Sequence, residues 1–398
     1  VSKFTVFFGC NESGVAWWRA KQPAYKLMEK GLCNVTMFSV YDTVAEEDAS
    51  ALIDPADIVY IPCASGIQLV AEFLKYYEIG KKTVADYDDN MFDCHYLNPA
   101  YKTLGLREVH ARVNGKEQYI WKDERNGFSI KDNKIRHASY TDILQIADSL
   151  TSTTPYLANE IKLGMQGREM SDITILPNSI DFNIFRPLPH KVRTGSKLRI
   201  GWAASDSHLL ESKITLNIIE KLHAKRSDFE FVILGNIHEF RTSERAKKLP
   251  IEWHEFVDLG IYPTKLASLE LDIAICPLED VSFNRCKSQL KWSEYSSLSI
   301  PSVCQDLAPY HCIKDGEDGI LASTSEDFVL ALEYLMDNSE FRKRMGEAAF
   351  QRNYEDFNLD EVVYDWFEMF ERTLSKDRKL FYKGQEIQRR DRLEKVSV

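Results

Sequence analysis

Strand-like and helix-like segments alternate along almost the whole of this 398-residue chain, and that alternation is its strongest constraint on fold. Runs rich in β-branched and aromatic residues, FTVFFG (4–9), VTMFSV (35–40), DIVYIPC (57–63) and KTVADY (82–87), are separated by helical patterns at 15–30 and 66–79. A helical region follows at 138–164, and SDITILPNSID (171–181) closes this half with another strand. The pattern restarts with KLRIGWAAS (197–205), FEFVILG (229–235), IEWHEFV (251–257), DIAICPL (272–278) and PSVCQD (301–306), with helices at 210–226, 263–270 and 287–298 between them. Strands joined through helices pair in parallel, and their sheets carry helices on both faces. The chain is too long for one ordinary domain, so two sequential doubly wound α/β domains are expected, at 1–185 and 186–360. The proline-bearing stretch FRPLPHKVRTGS (185–196) has the polar, turn-rich character of the linker between them.

Two regions break the alternation. Residues 107–137 hold two Asn-Gly steps flanked by strand formers, VNGKEQYIW and ERNGFSIKDN. Asn-Gly supplies the positive φ angles of tight hairpin turns, so a β-hairpin insertion in the first domain is expected, either a structural flap or a working element. The other region is 361–398, expected to pack back on the first domain. EVVYDWFEMFERTL (361–374) is an amphipathic helix, and a charged tail follows. There Lys376, Arg378, Lys379, Lys383, Arg389, Arg390, Arg392 and Lys395 outnumber Asp377, Glu386, Asp391 and Glu394. A solvated helical tail and a phosphate- or membrane-contacting one both fit that excess.

Composition narrows the function classes. A hydrophobic content of 44% with 12% aromatics is that of a well-cored soluble protein. The net charge of −11 argues against a generic nucleic-acid binder or a protein held on anionic membrane by charge. The eight cysteines are scattered without a C-x-x-C pair, which points to reduced, buried thiols in a cytoplasmic protein. No apolar run approaches the ~20 residues of a transmembrane helix, and no signal peptide is expected ahead of the first strand.

Three loops carry candidate chemistry. FFGCNESGVAWWR opens the first domain, with Gly9 and Gly14 where the backbone turns into a helix bearing Trp17 and Arg19. IGWAASDSH opens the second, with Gly201, Ser205 and His208 in the equivalent place. Neither is the G-x-G-x-x-G dinucleotide fingerprint, so a nicotinamide dehydrogenase is disfavoured. The third is FNRCKSQLKWSEYSSLSIPSV (283–303), read as a polar loop followed by a helix that opens at Lys287 and Ser288. A helix start above a parallel sheet offers free N–H groups to an anion, and Arg285, Lys287 and Lys291 add positive charge. Glu294, two turns along, suits a pair of ribose hydroxyls. Diphosphate and ribose together describe a nucleotide sugar.

These residues resemble a known family. The chain is similar over essentially its full length to GT-B-fold retaining glycosyltransferases of the family-four group, which implies two Rossmann-like domains facing across a cleft. ILPNSIDFNIFRP (175–187) resembles that group's interdomain run. ADSLTSTTPYLANEI (147–161) resembles the preceding segment, where a helix ends and a short strand leads to a Thr-Pro turn. LRIGWAASDSHLLESK (198–213) is similar to the opening of the donor domain, and DYDDNMFDCHYLNPAY (86–101) to the D-D-[NL]-[LMI]-F segment of a bacterial and phage subgroup. The departures are specific. Glu294 matches the second glutamate of the family's E-x7-E motif, but Cys286 stands at the first, which in the family faces the transferred sugar. Lys287, Ser288 and Gln289 replace its glycine-rich segment, and the usual donor-loop arginine is absent, leaving His208 and Lys213 as substitutes.

The resemblance implies a cytoplasmic, metal-independent, retaining transfer from a UDP- or GDP-linked sugar to a glycan, a lipid-linked sugar or a hydroxylated DNA base. Lys287, Arg285 and the amides of Ser288 and Gln289 would offset charge on the departing diphosphate, and Glu294 would bind ribose. Asp88 would hold a sugar hydroxyl or orient the acceptor, with Gly9, Gly14, Trp17, Arg19, Asp86, Asp89 and Asn178 on the acceptor side or lining the cleft. The hinge would lie near Asn178 to Pro187. Asp86-Tyr87-Asp88 is also a D-x-D triplet, so a metal-free lining of the cleft, a structural turn and a metal site all remain open for it. A non-catalytic nucleotide-sugar-binding protein is the alternative from outside enzymology.

Overall fold

The protein is described from a computed structural model, which defines residues 3–10, 13–39, 51–113, 116–185, 197–377, 380–382 and 385–387. The chain divides into two compact units. The first comprises Val1–Cys94, Lys102–Asn178 and Asp360–Val398; the second comprises His95–Tyr101 and Ser179–Leu359.

In the first unit, β1 (Thr5–Cys10), β2 (Asn34–Ser39), β3 (Ile58–Pro62) and β4 (Lys82–Tyr87) lie close to their sequence positions. A two-stranded hairpin of β5 (Val109–Val113) and β6 (Lys116–Trp121) follows, then β7 (Ser149–Ser152) and β8 (Ile173–Ile175). The main sheet is parallel, in the order β2-β1-β3-β4-β7-β8. The hairpin is narrower than the 107–137 insertion read from sequence. The second Asn-Gly step does not join strands: Asn126 and Gly127 take φ values of 54° and 74° in a turn leading to a helix at Ile130–Ile146. The first Asn-Gly, 114–115, lies outside the described residues.

The single helical region expected at 138–164 is broken by β7. Asp148 accepts a hydrogen bond from Thr83 N at 2.8 Å, which ties the entry of β7 to β4. Thr154 then caps a new helix, Pro155–Gly164, with Pro155 in its first turn.

The helix Leu359–Ser375 supplies one layer of the first unit's core. Val362, Val363, Trp366, Met369 and Phe370 fall on one helical face and pack with Val6, Phe8, Tyr60 and Val84. Trp366 lies 5.5 Å from Tyr60 and Phe370 lies 5.8 Å from Phe8, between ring centroids. Beyond it the tail is not helical where it is described: Leu380–Tyr382 pairs antiparallel with Gln385–Ile387. Arg378, Lys379, Lys383 and everything from 388 lie outside the described residues, as does 186–196 of the linker.

The second unit holds β9 (Leu198–Ala203), β10 (Phe229–Leu234), β11 (Ile251–His254), β12 (Ile273–Cys276), β13 (Ser302–Gln305) and β14 (Ile320–Ala322). All pair in parallel, in the order β11-β10-β9-β12-β13-β14. Counted from β9 this is 3-2-1-4-5-6, the doubly wound order of dinucleotide-binding domains. Ile200, Phe231, Ile273 and Val303 face the helices Ser212–His223 and Ser325–Asp337 in one core. Cys276, Cys304, Trp292 and Tyr295 sit in the other. None of the eight cysteines forms a disulfide. Among the described residues, no helix is long and apolar enough to cross a membrane.

Candidate functional site

A doubly wound sheet opens a crevice at the carboxyl ends of its strands, where the strand order reverses. In the second unit that point lies between β9 and β12, so the loops 204–211 and 277–289 are the ones to inspect. Both contain residues singled out from the sequence, and the structure shows which of them are taken up in packing.

Gly201 is a packing residue. It lies within β9, and a Cβ there would come within 2.2 Å of Leu271 Cδ1. The glycine that shapes the edge is Gly235, after β10. Its φ is +129°, and a Cβ would stand 1.9 Å from the Ala204 carbonyl oxygen. Ser205 shares a hydrogen bond with Ser207 at 2.9 Å. Lys213 is exposed in the first turn of its helix.

The segment after β12 is built differently from the expected helix at 287–298. A short helix, Ser282–Arg285, leads to a turn at 286–289, and the following helix is only Leu290–Ser296. Lys287 and Ser288 therefore precede the helix, Gln289 is its buried N-cap, and Glu294 lies one turn in rather than two. The helix is anchored on several sides: Tyr295 Oη accepts from Ala203 N at 2.7 Å, Trp292 Nε1 donates to Asp318 O at 3.0 Å, and Asn353 Nδ2 donates to Ser293 O at 2.8 Å.

Glu294 is buried, and its Oε2 receives Tyr262 Oη at 2.8 Å and Lys291 Nζ at 2.9 Å. Burial and the neighbouring Glu294 push the Tyr262 phenol well up, so it remains a donor. Lys287 Nζ lies 5.0 Å from the centre of the Phe283 ring. Arg285 is half-buried and binds Asp280 through two hydrogen bonds, of 2.5 and 2.9 Å, so its charge is largely neutralised by a neighbour. Cys286 is completely enclosed and presents no thiol to a ligand.

Sequence reading passed over Glu211. It is the N-cap of Ser212–His223 and its side chain is 1% exposed. Its Oε1 accepts Asn284 Nδ2 at 2.7 Å and, at 3.4 Å, Glu279 N, joining the loop after β9 to the loop after β12. Burial would raise its pKa, but His208 and Lys287 hold it below the ordinary carboxylate value. His208 lies opposite, with Nδ1 3.7 Å from Glu211 Oε2. Burial lowers its pKa from the ordinary imidazole value, with Lys287 and Lys291 reinforcing the shift and Glu211 opposing it. No spacing rule marks Glu211, because its bonded partner lies 73 residues away.

In the first unit the D-x-D triplet splits into separate roles. Asp86 is fully buried and paired with Arg19, through Oδ1–Nη2 at 2.6 Å and Oδ2–Nε at 3.1 Å, and it also accepts from Thr151 Oγ1 at 2.6 Å. Arg19 further donates to Leu176 O at 2.6 Å and Asn178 Oδ1 at 3.2 Å, and lies 4.9 Å from the Trp366 ring. Arg19 and Asp86, expected on the acceptor side, are thus enclosed structural groups that join β1, β4, β7 and the C-terminal helix. With its oxygens engaged in this way, Asp86 is poorly placed to ligate a metal. Tyr87 is buried, its Oη donating to Ala64 O at 3.0 Å.

Asp88 is the triplet member with chemical capacity. It is half-buried, accepts Asn178 Nδ2 at 3.0 Å, and burial beside Asp89 and Asp86 pushes its pKa up to about 6. Asp89 is half-buried beside it, and Asn178 is the buried link between Asp88 and Arg19. Gly9 lies within β1, Trp17 is half-buried in a short π-helix, and Gly14 faces open space.

No protein-family model matches the sequence, and no curated protein matches it. Solved structures do resemble the fold. A glycosyltransferase from Rickettsia africae superposes with a TM-score of 0.65 at 12% identity, covering 95% of this chain and 100% of that one. The Anabaena protein Alr3699/HepE, solved in complex with UDP and glucose, gives 0.61 at 11% identity over 93% and 99%. Sucrose-phosphate synthase from Thermosynechococcus elongatus gives 0.58 at 9% identity over 93% and 98%. At such identities the likeness establishes the fold, a chain of two Rossmann-like domains.

Proposed function

We propose that this protein is a glycosyltransferase that moves a sugar from a nucleoside-diphosphate donor to a hydroxyl acceptor. The carrying observation is the group at the carboxyl edge of the second sheet: Glu294, a buried carboxylate held by Tyr262 and Lys291, on a helix preceded by the turn that bears Lys287. Cations suit a diphosphate, and a carboxylate fixed before ligand arrives suits a ribose diol. The likeness to a fold solved with UDP and glucose supports the same reading.

Charge on the diphosphate grows as the glycosidic bond breaks, and a lysine fixed beforehand stabilises that state more than the ground state. Lys287 has that role in this reading, while Lys291 is paired with Glu294. Arg285 has a lesser one, because Asp280 already claims it. Asp88, partly protonated near neutral pH, can donate to or accept from a sugar or acceptor hydroxyl. Retention of configuration, with the leaving phosphate taking the acceptor proton, and independence of metal complete the proposal.

Nucleoside-diphosphate release from a panel of UDP- and GDP-sugars, with glycan, lipid-linked and hydroxymethylated-DNA acceptors and with and without EDTA, tests it. Release that survives EDTA, giving an α-product from an α-linked donor, is expected. Failure to bind either UDP or GDP by calorimetry overturns the proposal. Turnover only with the DNA acceptor, at a salt-sensitive affinity, redirects it to base modification.

A further inference from the structure

Glu211 and His208 have a feature the leaving-group chemistry does not use. Glu211 Oε2 and His208 Nδ1 are both buried, and neither makes a hydrogen bond within the protein. A buried polar atom without a partner is costly, and two of them facing each other across 3.7 Å form a unit. Glu211 is ionised, so the ring nitrogen turned toward it carries the proton; a lone pair there would be repelled. The imidazole as a whole is neutral at neutral pH, because burial and the two lysines disfavour its cation. A neutral ring protonated at Nδ1 has its lone pair at Nε2, on the opposite flank. Nδ1 is enclosed while the side chain keeps 14% exposure, so the accessible part of the ring lies away from Glu211.

We propose that His208, fixed in its Nδ1–H tautomer by Glu211, is the hydroxyl acceptor that recognises the sugar of the donor. This rests on the nucleotide-sugar reading above and deepens it. A neutral imidazole contributes little to a diphosphate, which rules against His208 as the replacement for an absent arginine. It is suited to a sugar hydroxyl, which donates to Nε2. Glu211 is a positioning residue: it sets the tautomer, and through Asn284 it fixes the loop after β9 against the loop after β12.

The test separates sugar from nucleotide. UDP, GDP, UDP-glucose and GDP-glucose are titrated calorimetrically into the wild type, His208→Ala, His208→Gln and Glu211→Gln, each checked for folding by thermal melting. For whichever nucleotide binds, His208→Ala should leave the free diphosphate within about twofold while weakening its glucose derivative about tenfold, as loss of one hydrogen bond implies. His208→Gln, which keeps an acceptor at the Nε2 position, should recover part of the loss. Nitrogen-15 NMR of the imidazole should show Nδ1 protonated in the wild type and a mixed tautomer in Glu211→Gln. Equal weakening of diphosphate and glucose derivative in His208→Ala, or an Nε2-protonated ring in the wild type, overturns the proposal while leaving the donor site in place. Absence of binding by all four probes overturns the nucleotide-sugar reading beneath it.

Discussion

Two polar pairs, one in each unit, differ in how completely their atoms are satisfied. Arg19–Asp86 is complete: the carboxylate accepts from Arg19 and Thr151, and the guanidinium also reaches Leu176 O and Asn178. His208–Glu211 is less enclosed, with 14% of the His208 side chain exposed, and it is incomplete, with one atom of each partner left without a hydrogen bond. A pair that satisfies every atom internally serves the fold. A pair held just short of contact, on loops at a strand-order reversal, fits the ligand-binding role proposed for it.

The largest effect that would test this contrast is on stability. Arg19→Met should cost about 3–5 kcal/mol, since it strands Asp86 as a buried, half-satisfied anion. Glu211→Gln should cost under about 1 kcal/mol, because the amide oxygen still receives Asn284 and no completed ion pair is lost. Urea denaturation gives both values. A Glu211→Gln loss equal to that of Arg19→Met would make the second pair as structural as the first.

Next comes Lys287, proposed to offset charge on the leaving group. Lys287→Ala should lower kcat about 10²–10³-fold with a smaller change in KM, the pattern of a contact that strengthens in the transition state. Near-normal turnover at saturating donor would remove Lys287 from the chemistry. Glu294→Gln should weaken nucleoside-diphosphate binding by ~10- to 100-fold, the range for one charged hydrogen bond of roughly 1.5–3 kcal/mol. Unchanged calorimetric affinity in the folded variant would show that Tyr262 and Lys291 occupy Glu294 for structure alone.

The sequence made the fold legible where local pattern and burial agree. Central strands such as β3 and β12 are apolar runs enclosed on both faces, so their character does not depend on distant partners. It was less legible where a distant contact decides. β7 hides inside helix-forming sequence because Asp148 is claimed by Thr83, from another strand. The helix expected from Lys287 begins only at Leu290, since the preceding short helix ends in a turn that no Gly or Pro announces. The site divided in the same way. Lys287, Lys291 and Glu294 share one segment and could be read together. Glu211 could not, because its importance comes from Asn284 and His208 in the folded chain. Arg19 and Asp86 misled for the converse reason: their motif suggested a ligand, but each is the other's partner.

The smallest effect concerns Asp88, which belongs to neither pair but lies against the first. Its pKa stands at about 6 in the folded protein against an ordinary value of 3.8, so folding disfavours its charged form. Stability from this group is therefore fully present below about pH 4 and is lost as pH rises through about 6. Asp88→Asn removes that loss while keeping an acceptor for Asn178 Nδ2. The shift would correspond to about 3 kcal/mol at 1.36 per unit, and partial solvent contact reduces the expectation to about 1–2 kcal/mol. The variant should therefore melt above the parent at pH 8 and alongside it at pH 4. Because Arg19 lowers the Asp88 pKa, adding Arg19→Met should raise that pKa and enlarge the stabilisation by Asp88→Asn at pH 8. A gain that is the same at both pH values would mean that Asp88 titrates as an ordinary carboxylate, and would withdraw the group from any proton-sharing role with a substrate hydroxyl.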